Sequence, residues 1–514
     1  MLRDRTALNV NNSAMKLGQG LGVLGIALMA LMAGLMIAFA GLYGAAGVAL
    51  LMVIVGGFML PVSTLMWMLL ACATVLAGTI EYFGNGLKQA QWLTYGMAGL
   101  LVLRMPLETL RARAMTLGAP PTWWTSAPWL ALLLYLLTTV LCNFANHVPV
   151  SAWVIFVKNA LLLAVVPWAL AEIVQRRGLG FLPLIWQCLP GLMLLQLPFV
   201  LYQHFVIMPT RQQALSPYDC VVGTFGGDPM GGGSNATLVL FAILAIALSI
   251  GRLAHRQGTW RVHLFIIMSA LVVIGMGEVK VVVLMLPLAL VGYFGLRAVF
   301  TLRGLLLLLV GGGLFVAGVV LLYQAIYWSH MAKGYSSLSE SLSDSMRYVL
   351  DPSNINWRTG EIGRGAALAL WWGDSDLDGL HRFLGMGYGS ARSDSSVAIG
   401  AVALKYLPLN IAPTVLSRLL WEVGYVGTAM FTLVIVTGVL ACSRSLKCWA
   451  ITSTEAESLR LARSFLAICL LLLPYNAYLL DQAVMQALLM VSIATVALLR
   501  TPARISSRIG PGHV

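Results

Sequence analysis

Charge is scarce in this chain. Only 10% of its 514 residues are Asp, Glu, Lys or Arg and 59% are hydrophobic, whereas a soluble domain carries roughly 25% charged residues. That shortage excludes a soluble globular enzyme, and leaves only a short, basic tail from Thr501 to Val514 that is expected to be mobile. Cysteine is also sparse and scattered. Cys72, Cys142, Cys188 and Cys469 fall in apolar runs, Cys442 and Cys448 border a basic loop, and Cys220 lies in a polar segment, so neither a disulfide framework nor a metal-ligand spacing emerges. Repeats of fixed period and low-complexity tracts are missing, which excludes solenoids and linker-rich architectures. The first apolar run lacks the short core and small-residue cleavage site of a removable signal peptide and reads as a retained span.

What the chain has in abundance is apolar runs long enough to cross hydrocarbon. They fall near 20–40, 44–60, 62–81, 89–104, 127–143, 151–172, 181–206, 236–251, 263–277, 281–296, 304–326, 413–441, 464–478 and 483–499, about fourteen segments near the ~20 residues a spanning helix needs. The expectation is an all-α polytopic membrane protein, with residues 1–514 forming one transmembrane domain.

The net charge of +13 raises the question of nucleic acid, but sidedness accounts for it. With the amino terminus inside, the inner segments hold Arg3, Arg5, Lys16, Arg104, Arg111, Arg113, Arg176, Arg177, Arg252, Arg256, Arg261, Arg297, Arg303, Arg444, Lys447, Arg460, Arg463, Arg500, Arg504 and Arg508, which is 20 of the 32 basic residues. The short outer loops carry little beyond Lys88, Arg211 and Lys280. The positive-inside rule then puts both termini in the cytoplasm and leaves no nucleic-acid partner to invoke.

One long polar interval, 327–412, interrupts the apolar pattern and is expected as a large, partly helical outer loop. It mixes Arg and Lys with Asp and Glu in near balance and adds Trp328, Trp357, Trp371 and Trp372, which suits a carbohydrate or phosphate ligand better than an ion. Within it, Arg358 and Arg364 lie on a piece that turns helical and ends in Trp371 and Trp372, the usual equipment for phosphate and sugar contact. Asp374, Asp376 and Asp378 alternate, but no Glu follows at the twelfth position of a calcium loop, so no metal is expected. His381 and Arg382 precede Leu-Gly-Met-Gly-Tyr-Gly-Ser (384–390) and Arg392.

Outside that interval, the stretch 218–235 holds Gly223, Gly226, Gly227, Gly231, Gly232 and Gly233 ahead of an apolar run. It reads either as amides facing an anion at a helix start or as a flexible loop with a cap at Ser234 or Asn235. Arg211 reads as a phosphate grip or an interface anchor, and Glu278 with Lys280 as a paired turn or a lysine facing a lipid diphosphate. Lys158, within an apolar run, either snorkels or lines a cavity. Arg418 and Glu422 share a helical face at i,i+4, where an ion pair is the plain expectation.

Taken in order, Gly-Thr-Phe-Gly (223–226), the charged turn 278–280, Leu-Gly-Met-Gly-Tyr-Gly-Ser (384–390) after an Arg- and Trp-rich stretch, and Glu-Val-Gly-Tyr-Val-Gly (422–427) resemble the O-antigen ligase and Wzy-type polysaccharide polymerase superfamily. The landmarks cover about 200–440. The resemblance implies a bacterial inner-membrane glycosyltransferase, active on the periplasmic face, that takes a glycan from undecaprenyl diphosphate without nucleotide sugar or other cofactor. Membrane lipid and a chain-length regulator protein would be its partners. Ligases of this type carry a His-Asn pair about nine residues before the Glu-x-Gly element, where this chain has Pro413 and Thr414, so the polymerase is expected ahead of the ligase. Arg211, Lys280, Arg358, Arg364 and Arg392 are then candidates for diphosphate and glycan binding, with Trp371 and Trp372. His381, Glu422, Glu361 and Asp351 are candidates for the general base by chemistry alone. A lipid-linked oligosaccharide flippase and a non-enzymatic envelope scaffold are the competing expectations.

Overall fold

The computed structural model describes residues 56–57, 59–115, 125–211, 217–277, 281–322, 343, 346–393, 398–447 and 452–499. The chain divides into two compact units, Met1–Pro61 and Val62–Val514. The described residues lie almost wholly in the second. The spans expected at 20–40 and, for the most part, 44–60 fall outside them, as do Glu278 and Lys280.

The second unit is predominantly helical. Among the described residues, six helices are long and apolar enough to cross a membrane: α1 (Val62–Phe83), α3 (Ala127–Ala145), α4 (Val150–Arg177), α5 (Phe181–Arg211), α6 (Asn235–Ala254) and α13 (Val415–Ser445). Between and after them come α2 (Trp92–Met115), α7 (Trp260–Met276), α8 (Val282–Phe294), α9 (Leu302–Leu322), α14 (Ser453–Leu472), the single turn α15 (Tyr478–Asp481) and α16 (Ala483–Leu499). The long interval adds α10 (Arg364–Gly373), α11 (Gly379–Leu384) and α12 (Ala401–Lys405). Of these six, α6 is the most buried, with 83% of its apolar window inside the protein. An all-round apolar sequence allows that, since it has no polar face to present.

One expected boundary moves. The apolar run at 464–478 belongs to a helix that starts eleven residues earlier, at Ser453. Thr452 and Glu455 form a reciprocal capping box there, which satisfies two amides the first turn leaves open. The polar first half of α14 stays buried because its charges have partners. Glu457 accepts from Arg252 at 3.0 Å, and Arg463 donates to the carbonyls of Gly292 at 2.5 Å and Tyr293 at 2.9 Å. Between α2 and α4, two basic residues expected on one side meet as well, since Arg104 and Arg176 both bind Glu108.

Three of the long helices contain a π-helical turn, at Cys72–Leu76, Val157–Leu161 and Gln203–Ile207. Such turns insert one residue into the helical ladder and often mark functional positions. A fourth irregularity is sharper: within α13, Gly424 takes φ 63° and ψ −163°, which breaks the helix in two.

The long interval folds over the first half of α13. A two-residue antiparallel pair joins Ile355–Asn356 to Glu361–Ile362, and Trp371, Leu377, Leu409 and Ile411 pack with Trp421 of α13 in one apolar cluster.

Candidate functional site

The break at Gly424 creates the site. A broken helix frees carbonyls that would otherwise accept bonds from the next turn. Here Met386 N donates to Trp421 O at 2.9 Å and Gly387 N to Glu422 O at 3.0 Å. The glycine-rich stretch 384–390 thus docks directly onto the gap. It fits because Gly385, at φ 79°, has the backbone of Val423 and Glu422 within 2.5 Å of where a Cβ would stand. Helix α3 braces the other side: Asn143 Oδ1 accepts from Tyr388 N at 2.8 Å, and Asn146 Nδ2 donates to Gly385 O at 3.0 Å.

This arrangement brings Arg392 against Glu422. Arg392 Nε donates to Glu422 Oε1 at 3.3 Å, Nη1 to Asp481 Oδ1 at 2.8 Å and Nη2 to Tyr388 OH at 3.3 Å. Arg418, the other guanidinium, also binds Asp481 Oδ1 and donates to Ala412 O. The i,i+4 expectation for Arg418 and Glu422 is therefore corrected, since the structure pairs Arg418 with Asp481 of α15 instead. The side chains of Glu422, Arg418 and Arg392 are 0%, 2% and 5% exposed. Burial works against the ionised Asp481, yet Arg418 and Arg392 hold its carboxyl below the usual carboxylate range. Around Tyr388, burial pushes the phenol up, so it stays a neutral donor and acceptor. Two cations and two carboxylates, most of them out of water, are tolerable only because each is paired. The Gly389 amide supports the Glu422 carboxylate, while Oε2 makes no full hydrogen bond among the described residues.

Other residues expected in the site are placed as follows. Arg364 stacks over the rings of Tyr475, at 4.0 Å, and Tyr348, at 5.2 Å, on the segment that leads into α15. Trp372 is exposed and Trp371 is buried, so Trp371 serves packing and Trp372 faces water. Arg382 lies over the Trp371 ring at 5.6 Å. His381 is tied to Asp378, with both its amide and Nδ1 2.8 Å from Oδ1, in the first turn of α11. Glu361 and Arg358 are exposed on the small hairpin, where Asn356 Oδ1 accepts from Arg358 N. Among the described residues, no hydrogen bond or ion pair joins His381, Glu361 or Arg358 to the Arg392–Glu422–Asp481 cluster. The acidic trio is dispersed among structural duties: Asp374 and Asp376 both bind Lys405, Asp374 also binds Tyr406, and Asp378 caps α11.

The glycine stretch at 223–233 spends its amides differently from the anion-facing expectation. Gln203 Oε1 accepts from Val222 N and Gly223 N, and Gln196 Oε1 accepts from Thr224 N. Arg211 is buried and donates to the carbonyls of Gly231, at 2.5 Å, and Met230, at 3.2 Å. It thereby ties this loop to the end of α5. The loop nonetheless reaches the site, because Tyr478 OH donates to Gly233 O and Gln482 Nε2 to Ser234. Asp481 went unremarked in the sequence, where it is a single carboxylate in a short turn between apolar runs. A lone acid opposite a surplus of arginine was the available signal.

Neither a protein-family model nor a curated protein matches this chain.

Proposed function

We propose that this chain is a polymerase of lipid-linked oligosaccharide repeat units, of the superfamily its motifs resemble. It would work on the periplasmic face of a bacterial inner membrane through about fourteen spans. The observation that carries the reading is the buried Arg392–Glu422 pair at a helix break, beside a second guanidinium and beneath the one long polar segment. A carboxylate that takes up a proton, set against a guanidinium that meets negative charge, is the minimum equipment for transfer from a diphosphate leaving group.

In this scheme an acceptor sugar hydroxyl attacks the anomeric carbon of the lipid-linked glycan. The bond from that carbon to the diphosphate oxygen breaks as the new glycosidic bond forms, and the configuration inverts. Glu422 takes the hydroxyl proton, and Arg392 offsets the charge on the departing undecaprenyl diphosphate. Arg418 and Asp481 position Arg392. Arg364, stacked on Tyr475 ahead of α15, and the exposed Trp372 would contact the glycan in this reading. Of the four acids and bases expected from the sequence, Glu422 is preferred because it alone meets a guanidinium of this cluster.

A second reading draws on the same break: transporters often build their substrate sites from discontinuous helices, which favours a flippase over a scaffold. Glycan chain length, read on gels of cells lacking the protein and complemented with wild type, Glu422→Gln or Arg392→Gln, separates the readings. Single repeat units accumulating outside, with both variants normally expressed, support the polymerase. Retained lipid-linked polymer with no outer glycan indicates a ligase, and unpolymerised units on the cytoplasmic face indicate a flippase.

A further inference from the structure

Two of the three π-helical turns have an evident role. Thr74 O, in the first, accepts from Thr224 Oγ1 at 2.7 Å, and Gln203, opening the third, holds the amides of Val222 and Gly223. Both seat the glycine loop. The remaining turn, Val157–Leu161 in α4, makes no such contact. It carries Lys158, whose Nζ lies 4.9 Å from the Trp92 ring centroid and 5.3 Å from that of Tyr95.

Trp92 is 39% exposed, whereas Tyr95 is 1% exposed and donates to Gln486 Oε1 of α16 at 3.2 Å, so the half-buried Lys158 stands at the edge of the bundle with one ring on its inner side. The α15 turn that carries Asp481 packs against this π-helical segment. Two residues before Lys158, Phe156 meets the Tyr388 ring edge-on at 5.5 Å, and Tyr388 accepts from Arg392. Lys158 interacts electrostatically with Arg392, Asp481 and Glu81. Yet among the described residues its ammonium has no carboxylate or hydrogen-bond partner, only the two aromatic faces. Asp481 is already shared between two guanidiniums, and Glu81 is bound by Gln91 at 2.5 Å. An ammonium among apolar helices is costly unless something anionic meets it, and an aromatic cage leaves its protons available.

We propose that Lys158 is an anion-binding residue of this site, receiving a phosphate group of the ligand opposite Arg392. This deepens the reading under Proposed function and rests on it only for the identity of the ligand as a prenyl diphosphate. The π-helical turn is then the device that rotates a lysine out of the helical register and into the cluster.

The test uses the full chain in phosphatidylcholine nanodiscs, titrated with undecaprenyl diphosphate, inorganic pyrophosphate and phosphatidylglycerol. Lys158→Gln is expected to weaken prenyl diphosphate binding by about tenfold or more, and Lys158→Arg to restore most of it, as charge-assisted contacts of this kind require. Loss of pyrophosphate binding in parallel assigns the contact to the phosphates, whereas loss confined to phosphatidylglycerol overturns the proposal in favour of an ordinary lipid contact. If Lys158→Gln fails to fold, acylation footprinting of the wild-type chain decides: prenyl diphosphate should protect Lys158 from an amine reagent. Unprotected Lys158, or unchanged binding in a folded Lys158→Gln, overturns the proposal. Binding that depends on Lys158 in a protein whose deletion leaves glycan chain length normal would sink the polymerase reading and leave the anion site standing.

Discussion

Replacing Gly424 with alanine strikes at the feature that assembles the site. At φ 63° and ψ −163° the backbone occupies a region essentially reserved for glycine, and forcing a side chain there costs about 1–3 kcal/mol. The new Cβ would stand 2.4 Å from Phe383 O and 2.6 Å from Gly385 N. These are backbone atoms that cannot swing aside, so overpacking adds about 1–3 kcal/mol. If the glycine loop withdraws to make room, the bonds from Met386 and Gly387 to the freed carbonyls are lost, at about 1 kcal/mol each. The routes overlap, and the total is about 3–6 kcal/mol, a large share of a typical folding stability of about 5–15 kcal/mol. The control is Gly311→Ala in α9, where a Cβ meets nothing within 4 Å and the change should be neutral or slightly stabilising. Thermal unfolding of the detergent-purified chain should show Gly424→Ala lowered by roughly 5 °C or more, with Gly311→Ala unchanged and with chain-length activity lost in the former alone. A Gly424→Ala protein with wild-type melting and activity would refute the argument that the break and the docked loop form one unit.

Asp481→Asn should be more damaging than its partial exposure suggests. It leaves Arg392 and Arg418 buried without their shared carboxylate, a loss of about 3–5 kcal/mol, and Asp481→Asn combined with Arg418→Met should recover part of it, measured as melting temperature. The acidic turn predicts a pH response of its own. Burial pushes the Asp374 carboxyl up, but the Tyr406 hydroxyl, the Asp376 amide and Lys405 outweigh it, so its pKa lies below the ordinary 3.8. A carboxylate depressed in the folded state stabilises above its unfolded pKa, and that contribution disappears as pH falls through the folded value. Hydrogen-exchange protection across 372–393, measured against the intrinsic rate at each pH, should therefore fall below about pH 4 in the wild type, and Lys405→Met should move the onset toward higher pH.

Much of the helical layout was readable as apolar runs, because lipid-length segments need no partner to be recognised. What resisted reading was the pairing of the few polar residues inside them. Gln196 and Gln203 look like blemishes in an apolar helix, yet they bind the amides of Val222, Gly223 and Thr224 and so fix the start of the glycine loop. The start of α14 was missed because Glu455, Glu457, Arg460 and Arg463 resemble a solvated loop until Arg252 and the Gly292 carbonyl are found opposite. Glu422 and Arg392 were legible as candidates because each stands beside glycines in a motif. Their meeting was not, since it depends on a backbone break that Gly424 permits but does not announce, and on Asp481, which carries no motif at all.

Asp481 also has a consequence for how the protein is made. Arg418 precedes it by 63 residues and Arg392 by 89, so ribosomal synthesis delivers both cations before their shared counter-charge exists. Until the α15 turn is made, Arg418 lacks the carboxylate that it binds in the finished protein, while Arg392 already has Glu422.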